Sequence, residues 1–229
     1  MLTAKLILER LDKEGRLLER REQPSRSFVR NFISLFYCAH AQILAASPYS
    51  MTDITGVART VDSQSSSNAF GRSSKSNLMI GSPPGFSGVQ CAGGTPGYIS
   101  VLNARVEGSK IGIQVGTGVT AVTPTDTALA TRILHGRAAT QLEYGGCELV
   151  GITFANPNGE LTIRRYFTNL SGGSITVNEA GIHSVGTQYA GTADYYAWAF
   201  LIARDIVSPG VAVANGELLR VAYVVQITV

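Results

Sequence analysis

Four glutamates on strand-like segments, Glu143, Glu148, Glu160 and Glu179, are the residues most easily put to chemical use, because a glycosidase needs two facing carboxylates. Carboxylates are also ordinary on strand surfaces, so their presence alone makes no pair. A nucleophile is harder to find: neither Gly-x-Ser-x-Gly nor Ser-x-x-Lys occurs among the many serines. His40, His135 and His183 stand outside any motif and read as structural histidines. Cys38, Cys91 and Cys147 are widely spaced and odd in number, which fits free thiols in a reducing compartment, and no Cys-x-x-Cys or His-x-x-x-His pair is present to seat a metal. Gly116-Thr117-Gly118 lacks the third glycine of a dinucleotide loop, and no Gly-Lys-Ser/Thr occurs. It reads as a backbone bend where glycine supplies a positive φ. The expectation is a protein without catalytic residues, cofactor or metal, whose function lies in what its shape binds.

One polar pair stands out. Glu179 follows Ile175 and Val177 in the alternation of a strand, and Arg204-Asp205 closes the apolar run from Trp198 to Ala203. A partly buried ion pair between Glu179 and Arg204 would fix the register of two strands. Two independently solvated charges are the alternative.

The elements that must position these residues are strands. From Leu218 to Val229 the residues Leu219, Val221, Tyr223, Val225, Ile227 and Val229 fall on one side, with Arg220, Gln226 and Thr228 on the other. Further strands are expected at Tyr98 to Val106, Ile111 to Val115, Leu142 to Ala155, Leu161 to Thr168, Ser174 to Ile182 and Tyr195 to Arg204. Asn156-Pro157-Asn158-Gly159, Ser171-Gly172-Gly173 and Asn215-Gly216 supply hairpin or tight-turn chemistry. A helix capped by Thr125 or Asp126, with Leu129 and Ile133 on one face, is expected between them. The fold so described is mainly β, an antiparallel, jelly-roll-like sandwich over 98–229, with Ile163, Phe167, Ile175, Val177, Val221, Tyr223, Val225 and Ile227 in its core.

Two further segments precede it. Residues 1–46 read as a hairpin, Leu6-Ile7-Leu8 against Leu17-Leu18 around Gly15, followed by an amphipathic helix capped by Ser25 or Ser27 with Phe28, Phe32, Leu35, Phe36, Ala39 and Ile43 in its stripe. A charged helix is the competing reading of the first part, with Gly15 against it. Residues 47–97 form an extended arm or loop, rich in serine and glycine from Arg59 onward and carrying isolated anchors such as Phe70 and Phe86. Phe28, Phe32, Phe36, Phe70 and Phe86 are therefore candidate subunit contacts. Removing residues 1–46 is expected to leave a soluble sandwich that no longer assembles.

Composition agrees with an assembled subunit, since 45% hydrophobic and 15% charged residues give a large core and little solubilising charge. A net charge of +3, with both signs intermixed, carries no nucleic-acid footprint. The greasiest stretch, Phe28 to Ala46, holds Arg30, Asn31, His40 and Gln42 and is too polar to be expected in a membrane. Charged residues from Lys5 to Glu14 interrupt any apolar core of a secretory signal.

Taken in order, Val115-Gly116-Thr117-Gly118, Pro124-Thr125-Asp126-Thr127-Ala128-Leu129, the run from Phe167 to Gly181, Leu201-Ile202-Ala203-Arg204-Asp205 and Asn215-Gly216-Glu217 resemble structural proteins of tailed bacteriophages. The resemblance spans Ile111 to Val229 and is one of strand and turn signatures, similar to head decoration, neck and tail-fibre components. It implies a non-enzymatic virion protein, assembled in the host cytoplasm, that packs as a homo-oligomer, a trimer by preference, and contacts the major capsid protein or other virion proteins. Alternatives are a tail or fibre protein that binds a host glycan, and a cellular carbohydrate-binding module whose candidate aromatics are Tyr195, Tyr196 and Trp198.

Overall fold

The structure, a computed structural model, describes residues 2–25, 27–40, 49–61, 110–189 and 195–228. Phe70, Phe86, Cys91 and the strand expected from Tyr98 to Val106 lie outside the described residues, as does all of the Ser/Gly-rich arm beyond Val61. The protein is mainly β, with antiparallel sheets and, among the described residues, one short helix.

Five strands make the larger sheet. Leu2–Leu11 (β1) and Leu17–Ser25 (β2) form the N-terminal hairpin, and Gly15 takes φ 81° at its turn, where a side chain would be strained. Glu143–Ala155 (β6), Asn158–Thr168 (β7) and Leu218–Thr228 (β10) complete it in the order β2-β1-β10-β7-β6. β1 pairs with β10 along its full length, from Leu2 opposite Ile227 to Leu11 opposite Leu218. The first 46 residues are thus not an appendage that can be cut away, because β1 is an inner strand whose loss would expose the edge of β10.

Tyr49–Thr52 (β3) and Ala58–Val61 (β4) form a separate hairpin, so the serine-rich arm does not begin at Arg59, which is a strand residue. The three-stranded sheet, in the order β5-β8-β9, comprises Gly112–Gly116 (β5), Ile175–Tyr189 (β8) and Tyr195–Val213 (β9). The turns at Ser171-Gly172-Gly173 and at Asn215-Gly216 carry the chain from one sheet to the other. One buried apolar cluster draws Leu6, Ile163, Phe167, Val221 and Tyr223 from the larger sheet and Ile113, Val115, Val177, Ile182 and Val185 from the smaller.

The core differs from expectation at one end. Val225 is only half-buried and Ile227 is 56% exposed, because the alternation of β10 continues beyond the region where the buried cluster covers it.

The helix Arg30–His40 (α1) begins later than expected. Ser25 and Ser27 do not cap it: the Ser25 hydroxyl donates to Asp205, and Ser27 to Val29 run along the edge of β9, with Arg204 N–H donating to Ser27 O and Val29 N–H to Ile202 O, each at 3.0 Å. Leu35 and Cys38 are fully buried on the inner face. Phe28 and Phe32, with ring centroids 4.5 Å apart, pack against this chain's own core, whereas Phe36 is 49% exposed on the outer face with Ile33 and Tyr37. No helix of the described residues is long and apolar enough to cross a membrane.

Candidate functional site

Glu179 lies on β8 and Arg204 on the neighbouring β9, two residues apart in register, since Gly181 faces Arg204 and Glu179 faces Ile206. The structure brings the two side chains together: Arg204 Nε donates to Glu179 Oε2 at 2.8 Å, with the side chains 3% and 0% exposed. Three backbone amides complete the carboxylate's surroundings. Ala130 N–H donates to Oε2 at 3.0 Å, while Thr131 N–H and Gly118 N–H donate to Oε1 at 2.7 and 3.2 Å. A carboxylate offers about four lone-pair sites, and these four donors occupy them.

The loop from Thr117 to Arg132 is built around this anion. No helix forms at 125–133, because the amides of Ala130 and Thr131 are turned onto Glu179 instead of into a helical ladder. Leu129 and Ile133 are buried all the same, from an extended and turning chain. The two glycines of Gly116-Thr117-Gly118 serve proximity and not positive φ. A Cβ on Gly116 would lie 2.4 Å from Glu179 Oε1, and one on Gly118 would lie 2.5 Å from the same atom and 2.7 Å from Ala130 Cβ.

Arg204 extends the network outward. Its Nη1 donates to Asp126 Oδ2 at 2.7 Å and its Nη2 to Thr120 O at 2.8 Å, so one guanidinium ties both strands and both arms of the loop. Burial acts to lower the Arg204 pKa, but the hydrogen bonds to Asp126 and Glu179 and their charges outweigh it and raise the pKa above the ordinary value. For Asp126 burial acts upward, and hydrogen bonds from Thr123 and Arg204 reverse it, leaving the carboxyl below its usual 3.8. The arrangement holds a charge in place and offers no open lone pair on Glu179 for proton transfer.

The other carboxylates are each engaged separately: Glu143 by Arg137 at 2.7 Å, Glu148 by Arg164 at 2.8 Å and Glu160 by the Gln226 amide at 2.9 Å. His135 Nδ1 accepts from Tyr144 N–H at 2.9 Å. Cys38 and Cys147 are buried. Among the described residues no group of three or more His, Cys, Asp or Glu side chains could hold a metal. Trp198 is half-buried against the core, with the Arg59 guanidinium 5.3 Å over its ring. Asn169 of the Asn-Leu-Ser sequon is fully buried and donates to Gly173 O and Val213 O, which makes it a corner post between sheets.

Sequence reasoning missed a second buried cation. Arg165 is 0% exposed on β7, where its Nε donates to Gly145 O at 2.8 Å and its Nη1 to Ile111 O and Ile113 O at 3.1 and 3.0 Å. Its guanidinium lies 4.9 Å from the Tyr144 ring centroid. Burial lowers its pKa and pushes that of Tyr144 up to about 12. The signal was present in Leu161, Ile163, Arg165 and Phe167, which share one phase of the strand. A guanidinium bonding from within that phase to the carbonyls of Ile113 on β5 and of Ile111 just before it ties the larger sheet to the smaller.

Comparison with protein-family models, with curated proteins and with solved structures found no match.

Proposed function

We propose that this chain is a non-enzymatic structural protein of a tailed-phage virion, which decorates or stabilises the capsid or the head-proximal region through contacts with several subunits. In this reading the two sheets form a sandwich that acts as a rigid body, and the protein works as a homo-oligomer, a trimer by preference, bound to the major capsid protein or other virion proteins. The observation that supports it best is the outer face of α1, where Ile33, Phe36 and Tyr37 are 65%, 49% and 51% exposed while Leu35 and Cys38 anchor the inner face. A clustered apolar face on a firmly held helix suits a contact surface. The buried charges support the same reading, because Glu179, Arg204 and Arg165 are spent on holding strands and loops together. Many modest contacts repeated around a shell then act together.

The test is to locate the protein by cryo-EM on purified particles of the phage that encodes it, and to compare occupancy with the triple variant Ile33→Ser, Phe36→Ser, Tyr37→Ser. Density for the wild type and reduced occupancy for a variant with an unchanged melting temperature are expected. Absence of the wild-type protein from the particles would overturn the virion reading. Unchanged occupancy of the variant would remove α1 as the attachment surface.

A further inference from the structure

The larger sheet has two outer strands, and their sequences treat the open edge in opposite ways. β2 carries Glu19, Arg20, Arg21, Glu22 and Pro24, the charges and proline that discourage another strand from pairing there. β6 ends in Leu149-Val150-Gly151-Ile152-Thr153-Phe154-Ala155, which has no charge at all. The first part of β6 is covered on its outer side, where Tyr144 N–H donates to His135 and Gly136 N–H donates to Leu142 O. Beyond Leu149 no strand of the described residues lies on that side. Among the described residues, the part of the edge without a neighbouring strand and the uncharged part are therefore the same.

Side chains at this tip repeat the message. Leu149, Ile163, Tyr223 and Leu6 form one row across β6, β7, β10 and β1, and it packs into the core. The next rows on that face are Ile152, Leu161 and Val225, then Phe154, Gly159 and Ile227. They continue the core-facing side outward, yet Ile152, Phe154 and Ile227 are 63%, 84% and 56% exposed. Phe154 lies across Gly159, where an added Cβ would meet its ring at 3.1 Å.

We propose that this tip is an interface between two copies of the chain, in which residues 149–155 of β6 pair antiparallel with the same residues of a second copy about a two-fold axis. A second copy fits because an uncharged strand meets itself without like-charge repulsion in any register, whereas a partner selected by charge would find none to recognise on this stretch. The pairing would satisfy the open backbone edge, and the apolar rows of the two copies would lie side by side on one face of a continuous sheet. A bulge between Leu149 and Gly151 limits the regular part of the edge to 151–155. So short a pairing falls below the ~800 Å² per partner of a standard stable interface, so the contact is weak and depends on concentration. It rests on the sheet edge alone and holds whether or not the protein belongs to a virion.

Thr153→Cys on a Cys91→Ser background, treated with a bismaleimide whose spacer tolerates a register offset, tests the contact in the full-length protein; Cys38 and Cys147 are buried. Covalent dimers should form about tenfold or more faster than for Glu22→Cys on the guarded β2 edge, reflecting the raised local concentration. Adding Ile152→Lys and Phe154→Lys should abolish that advantage and shift sedimentation towards the smaller species. Equal cross-linking from the two edges, or an advantage that survives both lysines, would overturn the proposal. Because the comparison is made in purified protein, absence from particles leaves its outcome unchanged.

Discussion

Gly118 approaches Glu179 so closely that its N–H donates to Oε1 at 3.2 Å and a Cβ in its place would stand 2.5 Å from that oxygen. The absence of a side chain at Gly118 is thus a condition for burying the carboxylate. Gly118→Ala should destabilise the fold by about 1–3 kcal/mol, the usual cost of overpacking a tight site. Denaturant unfolding of the two proteins measures this, and an alanine variant as stable as the parent would mean the loop can retreat without loss.

The pair itself makes a second prediction. Arg204→Ala leaves Glu179 buried with three amide donors but no counter-charge, and removing one member of a buried pair costs about 3–5 kcal/mol. Glu179→Gln places an NH2 among those donors and should also destabilise. Because the two residues act on each other, the double variant should lose less than the two singles together, with a coupling of about 0.5–3 kcal/mol. Strict additivity in the cycle would show that the contact contributes no coupling.

Much of the β architecture was legible because alternation survives wherever one face of a strand is buried: the hairpin at Gly15, the tight turn at Asn156-Pro157 and the phase of β10 could all be read from residue types. Glu179 was legible for the same reason, sharing its phase with Ile175 and Val177. What local pattern could not supply is the partner of a backbone amide. Leu129 and Ile133, four residues apart, imitate a helix, but the amides of Ala130 and Thr131 are held by a carboxylate almost fifty residues away in the chain. Likewise the alternation in β10 runs on to Ile227 without signalling where the opposite sheet stops.

That last point is testable on one strand. Val221→Asp replaces a side chain with 0% exposure by an unpaired carboxylate and should cost more than about 4 kcal/mol, a loss of the size reserved for buried charges. Val225→Asp, at a half-buried position two rows out, should cost about 1–3 kcal/mol. Thermal or denaturant unfolding of both variants ranks the rows. Equal losses would place Val225 in the core, as the alternation alone predicts.

His183 gives the pH prediction. It is 1% exposed on β8, and its Nδ1 must carry the hydrogen that reaches Lys110 O at 2.9 Å, since a carbonyl only accepts. Burial, with the nearby charges of Arg132 and Arg165, lowers its pKa from 6.5 to about 3, against a smaller upward effect of the Lys110 carbonyl. A depressed pKa means that as pH falls below 6.5 the unfolded chain takes up a proton that the folded protein refuses. Stability is therefore undiminished by this group above 6.5 and is lost progressively towards about 3, where the folded form titrates as well. The loss approaches ~1.4 kcal/mol per pH unit once the unfolded histidine is fully protonated. His183→Leu removes the proton site, so its stability should fall less steeply than that of the parent between about pH 6.5 and 5, even though its absolute stability is lower for want of the bond to Lys110. Denaturant midpoints across that range decide the matter, and parallel curves for the two proteins would show that His183 accepts a proton in the folded state.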